Sequence, residues 1–396
     1  MPRTSHLKQW FFDAIRNASA SAHQSPPRPD LAALTVVIPS YGRQDYLLRQ
    51  VIYWSETEVS VVIVDGSPTP LDPDVQAKIA DFPHIRYVHS LTPFFERMRL
   101  AGSMLKTRYA VMSGDDEFLL KKGLSQALSR LENDKSLVAC MGQSLAFHVD
   151  RETFSITYGS GYPHWRYEGT ESTAKARLDA AMSNYICATC YAVLRSEVWH
   201  RSWGKHGPWS SPYTGEIQQA LATYIRGKVT AIDEVYWMRS GENAPVNTNQ
   251  YNRGLSFEDW WHGAQQQGER ELFVSMLSTE LTEAEGTPPI DAANIVKDAV
   301  GLYIKHVDGA KPAGLRPTFF GFINQVLPDK LRARLKSIVF GLRSMGREGS
   351  FGTLADMRRT PPPSVPANLN DALFRELSHM ESLIMQFHTA RKADAA

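Results

Sequence analysis

The sequence predicts an α/β protein: a mainly parallel sheet flanked by helices, followed by a helical C-terminal extension. Four short runs read as strands: 34–38 and 59–64 are continuous, β-branched-rich and suited to burial on both faces, and 85–88 and 109–112 are shorter. Segments of helical period separate them, at 46–54, 74–81 and 94–105. Such β-α-β-α alternation is the pattern of a parallel sheet covered by helices. The composition permits it: 396 residues, 43% hydrophobic and 10% aromatic, can bury a large core. With 43 basic and 42 acidic residues the formal charge is +1, so nothing attracts the chain as a whole to nucleic acid. Three cysteines are too few for a disulfide framework and fit a reducing compartment.

Taken in order, residues 1–29 read as an amphipathic helix and a linker. Leu7, Trp10, Phe11, Ala14 and Ile15 share one helical face, which suits docking on the main domain, and Pro26, Pro27 and Pro29 then forbid helix. The main domain is placed at 30–245. After its first four strands a helix is expected at 123–133, an apolar stretch at 137–141, irregular strands and loops at 144–172, and a strand at 186–194. Thr214 is the expected N-cap of a helix running to about residue 226, and 229–238 returns to strand character. Residues 246–396 read as helical, most clearly at 291–303, 328–343 and 370–388, with a proline-rich linker at 357–366. Leu373, Leu377, Met380, Ile384 and Phe387 form a short apolar seam suited to packing on the same chain. Lys330, Arg332, Arg334, Lys336, Arg343 and Arg347 flank an apolar stripe. Two readings stay open for it: a docking helix with a solvated basic edge, or a helix lying on an anionic membrane. No apolar run approaches the roughly 20 residues of a spanning helix. The N-terminus has no secretory pattern. A cytoplasmic protein is expected, with peripheral contact at the inner face of the cytoplasmic membrane if the basic segment binds lipid.

In open α/β sheets, ligands bind beyond the carboxyl ends of the strands. Three polar groups fall there: Ser40-Tyr41, Asp65-Gly-Ser67 and Asp115-Asp-Glu117. A carboxylate after a strand can accept hydrogen bonds from a nucleobase or ribose. An acidic triplet suits a hard divalent cation that bridges to phosphates, although a solvated turn competes with that reading. Cys187 and Cys190 have C-x-x-C spacing but no second ligand pair, so they read as small apolar residues rather than zinc ligands.

Together, Thr35-Val-Val-Ile-Pro-Ser-Tyr-Gly-Arg43, Val61-Val-Ile-Val-Asp-Gly-Ser67 and Tyr109-Ala-Val-Met-Ser-Gly-Asp-Asp-Glu117 resemble the successive motifs of family 2 glycosyltransferases. The resemblance covers about 34–240 and implies a GT-A-type, Rossmann-like domain that transfers sugar from a nucleotide-sugar donor to a glycan, lipid-linked or protein acceptor. It implies a donor site that includes Ser40, Tyr41, Arg43, Asp65, Arg97, Arg99, Asp115 and Asp116. Within it Tyr41 and Asp65 meet the base, and Arg97 or Arg99 the base or phosphate. Mg²⁺ or Mn²⁺ would be held by Asp115 with Asp116 or Glu117, the counterpart of the family's D-x-D element. Glu216, opening a late helix, would be the base of an inverting transfer, with charge at the helix N-terminus as its competing role. His206, Trp209 and Tyr213 precede it and could stack on a sugar or simply pack. The sequence departs from the family where Val64 replaces the first of two acids, and where Ser113 begins the acidic motif. Two rivals remain: a nucleotidyltransferase, although the loop after the first strand lacks a glycine-rich basic pattern, and a non-catalytic nucleotide or sugar binder.

Overall fold

The computed structural model describes residues 5–21, 30–150, 152–162, 167–186, 189–243, 255–309, 350–360 and 370–395. The basic segment 330–347, the expected helix 328–343 and Cys187 lie outside these residues.

Helix α1 (His6–Ser21) precedes the alternation expected from the sequence: β1 (Leu34–Ser40), α2 (Gln44–Ser55), β2 (Ser60–Asp65), α3 (Pro73–Ile79), β3 (Ile85–His89), α4 (Phe94–Gly102) and β4 (Tyr109–Met112). These strands pair in parallel in the order β3-β2-β1-β4. Val36, Val37, Ile38, Ile63, Val64, Ala110 and Val111 are fully buried, as both-face burial demands. The chain continues through β5 (Phe118–Leu119), α5 (Lys121–Asn133), β6 (Leu137–Val149), β7 (Ile156–Ser160), α6 (Ala174–Ser183), β8 (Val193–Arg195), α7 (Ser196–Ser202), α8 (Pro212–Arg226) and β9 (Lys228–Ser240).

This second half of the sheet is not parallel throughout. β8 runs antiparallel to both β4 and β6, while β9 runs parallel to β6. Two antiparallel steps restore direction, so β6 and β9 end at the same edge of the sheet as β4. The stretch expected to be irregular after residue 144 is instead the second part of β6 plus β7. The strand expected at 186–194 shrinks to β8, because Thr189–Tyr191 forms a 3₁₀ turn.

α9 (Phe257–His262), α10 (Gln267–Glu285) and α11 (Pro289–Gly309) follow, then β10 (Ser350–Gly352), α12 (Leu354–Arg359) and α13 (Asp371–Ala395). β10 pairs with β7 and so adds a strand to the region read as purely helical; three residues are too few to show a period in sequence. The seam on α13 is buried as expected. α13 packs on α1, with Trp10 and Phe387 rings 5.9 Å apart, and on α2, with Tyr46 and Phe387 4.9 Å apart. The N-terminal amphipathic helix therefore closes on the C-terminal one. Among the described residues no helix is long and apolar enough to cross a membrane.

Candidate active site

Strand register sets the site. Ser40 is level with Asp65 across the β1–β2 pair, and Asp65 with His89 across β2–β3. On the other side Ser113 N–H donates to Val37 O at 2.9 Å, carrying the turn of Asp115 to the same edge. Ser40 Oγ then donates to Asp115 Oδ2 at 2.7 Å. Three of the sequence-predicted groups are thus brought together.

Helix α2 holds the acidic turn by its backbone. Arg49 Nη2 donates to Asp116 O at 2.8 Å, Gln50 Nε2 donates to the carbonyls of Asp115 and Glu117, and Tyr53 Oη donates to Leu119 O at 3.0 Å. These residues share one helical face, so one element sets a five-residue loop. Asp115 is fully buried, and Asp116 and Glu117 nearly so. Burial pushes Asp115 above the ordinary carboxylate range although Arg43 opposes it, and burial reinforced by the charge of Asp116 pushes Glu117 up.

The three acids do not converge. Glu117 Oε2 accepts from Trp237 Nε1 at 3.1 Å, pointing toward β9. Asp115 and Asp116 are bridged by Arg43, and Asp116 Oδ2 also accepts from Asn243 Nδ2 at 2.8 Å. Among the described residues no group of three or more His, Cys, Asp or Glu side chains is arranged to hold a metal ion. Their chemistry, hard carboxylate oxygens, suits Mg²⁺ or Mn²⁺; their present arrangement does not, because a guanidinium stands between two of them.

The remaining candidates are placed as follows. Asp65 is fully buried and accepts from Ser67 N–H at 2.9 Å, Gln44 Nε2 at 2.6 Å and Tyr87 Oη at 2.8 Å. Tyr41 is half-buried on the loop after β1. Arg97 is buried and donates to the carbonyls of Ser40 (2.6 Å), Val64 (3.0 Å) and Thr92 (3.2 Å), clamping the ends of β1 and β2. Arg99 points away from the strand ends and donates to Gly204 O and His206 O, each at 3.0 Å.

Glu216 sits on α8, whose N-cap is Ser211 with Pro212 in the first turn. Thr214, the expected cap, lies inside the helix because proline prefers the first helical position. No acid occupies the first turn. Glu216, one residue further in, is therefore poorly explained by helix-terminus charge, which acts within the first turn. Its Oε1 accepts from Tyr185 Oη at 2.7 Å. The ring of Phe95, in the first turn of α4, packs so closely over Gly215 that a Cβ there would collide with it. This contact brings the start of α8 beside the start of α4, next to the strand-end edge. His206 stacks on Phe95 at 4.3 Å and is buried; burial pushes its imidazole down to about 3, keeping it neutral. Trp209 donates to Gln218 and packs on Trp260 and Phe273, so both rings pack inward.

Asn243 is a contact that the sequence reading missed. The signal was available, since Gly241-Glu242-Asn243 is a polar group after a strand, but the direction of β9 was needed to place it. A separate groove of about 770 Å³ runs between α10 and α11, lined by Trp261, Arg270, Val274 and Lys297 among others. Its lining also includes Glu271 and Glu283 and none of the strand-end residues described above.

No family model and no curated protein matches the chain. Among solved structures, S. aureus TarS 1-349 superposes with a TM-score of 0.47 at 12% identity, covering 91% of this chain and 90% of that one. The same TarS fragment in complex with UDP-GlcNAc gives 0.48 at 14% identity with the same coverage, and its complex with UDP gives 0.44 at 13%. Likeness at this level assigns neither a family nor an activity.

Proposed function

We propose that the chain is a glycosyltransferase that moves a sugar from a nucleoside diphosphate sugar to an acceptor hydroxyl, with the chemistry in residues 30–245. The observation that carries this reading is the convergence of Ser40, Asp65 and Asp115 at one strand-end edge, in register, with Arg43 among them and Glu216 on the adjoining helix. The order of the motifs supports it, since each lies at the strand end where a family 2 glycosyltransferase motif belongs.

In the proposed step the acceptor oxygen attacks the anomeric carbon while the bond from that carbon to the diphosphate oxygen breaks. Its electron pair leaves with the nucleoside diphosphate. Glu216 takes the acceptor proton, and attack opposite the leaving group inverts the anomeric centre. Arg43, which bridges Asp115 and Asp116 at the strand-end edge, is assigned to offset the charge of the diphosphate. A divalent cation, where bound, supplies further charge neutralisation of the same kind. Asp65 and Tyr41 are assigned to the nucleoside, with Gln44 and Tyr87 releasing or sharing the carboxylate.

Product analysis on a panel of nucleotide sugars and acceptors tests the reading. Released nucleoside diphosphate with a glycosylated acceptor is expected. Released pyrophosphate would move the protein to nucleotidyl transfer, and binding without turnover across the panel would make it a binder. Glu216→Gln should lower turnover about 10²–10⁴-fold with the melting temperature and nucleotide affinity held. Near-wild-type turnover removes Glu216 as the base, and a retained anomeric configuration removes inversion.

A further inference from the structure

Arg43 lies where a cation shared by Asp115 and Asp116 would lie. Its Nη2 is 2.9 Å from Asp115 Oδ1 and its Nη1 2.9 Å from Asp116 Oδ2. An arginine fork often seats on a single carboxylate; here it is spread across two. The loop delivers it there. Gly42 adopts a φ of 66°, its N–H donates to Ser67 Oγ at 2.9 Å, and Arg43 follows at the N-cap of α2. Other partners hold the two acids in place around it: Ser40 Oγ on Asp115 Oδ2 at 2.7 Å and Asn243 Nδ2 on Asp116 Oδ2 at 2.8 Å. A divalent ion bridging Asp115 Oδ1 and Asp116 Oδ2 needs the oxygens that the guanidinium already touches. Two cations at contact distance repel, so one excludes the other.

We propose that Arg43 is a built-in counter-cation that occupies the Asp115–Asp116 seat in the nucleotide-free protein and keeps divalent cations out of it. Arginine does not lose its proton in proteins, so the guanidinium leaves the seat by movement of the side chain and not by its own titration. The side chain is 23% exposed, which leaves it an edge at the solvent, and its Nε–H meets no acceptor among the described residues. The guanidinium therefore has both room and donor capacity to turn toward an arriving anion. Why a cation is wanted at this edge rests on the proposed donor site; the exclusion itself rests on geometry alone.

The test needs no donor. Mn²⁺ is titrated into the full chain without nucleotide and followed by electron paramagnetic resonance. Wild type is expected to leave the free-ion signal unchanged, whereas Arg43→Gln should bind Mn²⁺ about ten-fold tighter or more. The melting temperature should rise with Mn²⁺ in that variant and not in wild type, and adding Asp116→Asn should abolish the gain. Arg43→Lys, a point charge that cannot span both acids, should bind Mn²⁺ to an intermediate degree and carries the test where the glutamine variant fails to fold. Equal binding by wild type and both variants, or none by any, overturns the proposal. Nucleotide binding and product release are separate measurements, so failure of the transferase reading is told apart from failure of this one.

Discussion

Glu242 and Glu117 are both buried acids beside α2, and their surroundings treat them in opposite ways. Glu242 accepts from Arg49 Nη1 at 2.9 Å and Nη2 at 2.8 Å, and meets His388 Nε2 of α13 at 2.5 Å. Burial alone would push its carboxyl up, but Arg49 and His388 outweigh that and bring it down to about 2. Glu117 has Trp237 Nε1–H at 3.1 Å, and its carboxyl is pushed up by burial and by the charge of Asp116. Asp115 follows Glu117, because one shared and partly exposed arginine does not offset complete burial. The anchor joining β9, α2 and α13 is charge-balanced, while the strand-end edge holds an excess of buried carboxyl groups over cations, which is why Asp115 and Glu117 keep their protons above the ordinary carboxylate range. A scaffold contact has no reason to retain such an excess; a site that receives a cationic or proton-bearing partner does.

The sharpest way to break this comparison is at the anchor. Arg49 is fully buried, and its ring neighbours Tyr46, Phe118 and Phe387 lie 4.8, 4.9 and 5.0 Å from its guanidinium carbon. Arg49→Met strips Glu242 of its main partner and Asp116 O of a donor. Leaving a buried charge without its partner costs about 3–5 kcal/mol, to be read from urea unfolding. A loss below about 1 kcal/mol would mean that His388 alone balances Glu242.

The pH dependence of stability sharpens the same contrast. Glu242 has a folded pKa of about 2, below the ordinary glutamate value of about 4.3. Its contribution is therefore complete above that ordinary value and is lost as the pH falls toward the folded one. Asp115 and Glu117 have raised folded values, so they bind protons more readily folded than unfolded, and their contribution declines as the pH rises above the ordinary carboxylate range. Thermal melts across pH should show wild-type stability falling on the acid side, with Glu242→Gln flattening that limb alone. An unchanged acid limb in Glu242→Gln would remove the anchor as its cause.

The parallel half of the fold was legible because β1, β2 and β4 are continuous apolar runs with polar ends, and burial on both faces leaves that signature without any tertiary knowledge. The other half was not. β6 carries Gly142, Gln143 and Ser144 in its middle, at a point where its register with β9 shifts, so one buried central strand reads as an apolar stretch followed by irregular strands and loops. α6 has only a weak apolar stripe, and α7, at seven residues, is too short to show a helical period. At the site, the positions of the acids followed from strand ends, but the roles of the arginines did not. Arg43, Arg97 and Arg99 are alike in sequence, yet one bridges two aspartates, one clamps strand-end carbonyls and one holds the 204–206 loop. The partner of a long charged side chain is set by what the fold brings within its reach.

The smallest expected effect lies at Tyr185, where the comparison passes from the edge to the proposed base. Its hydroxyl donates to Glu216 Oε1 at 2.7 Å while its ring packs edge-on against Tyr303, centroids 5.3 Å apart. Tyr185→Phe keeps the ring and its packing and removes the donor alone. A hydrogen bond of this kind contributes about 1 kcal/mol net, so the melting temperature should drop by a few degrees at most. If the hydroxyl aims Glu216, turnover should fall about ten-fold or less while the KM for the donor stays unchanged, because neither residue is assigned to donor binding. A rise in donor KM with turnover intact would place Tyr185 and Glu216 on the donor side of the edge. Unchanged kinetics, set against an inactive Glu216→Gln, would show that the carboxylate is aimed by its helix alone.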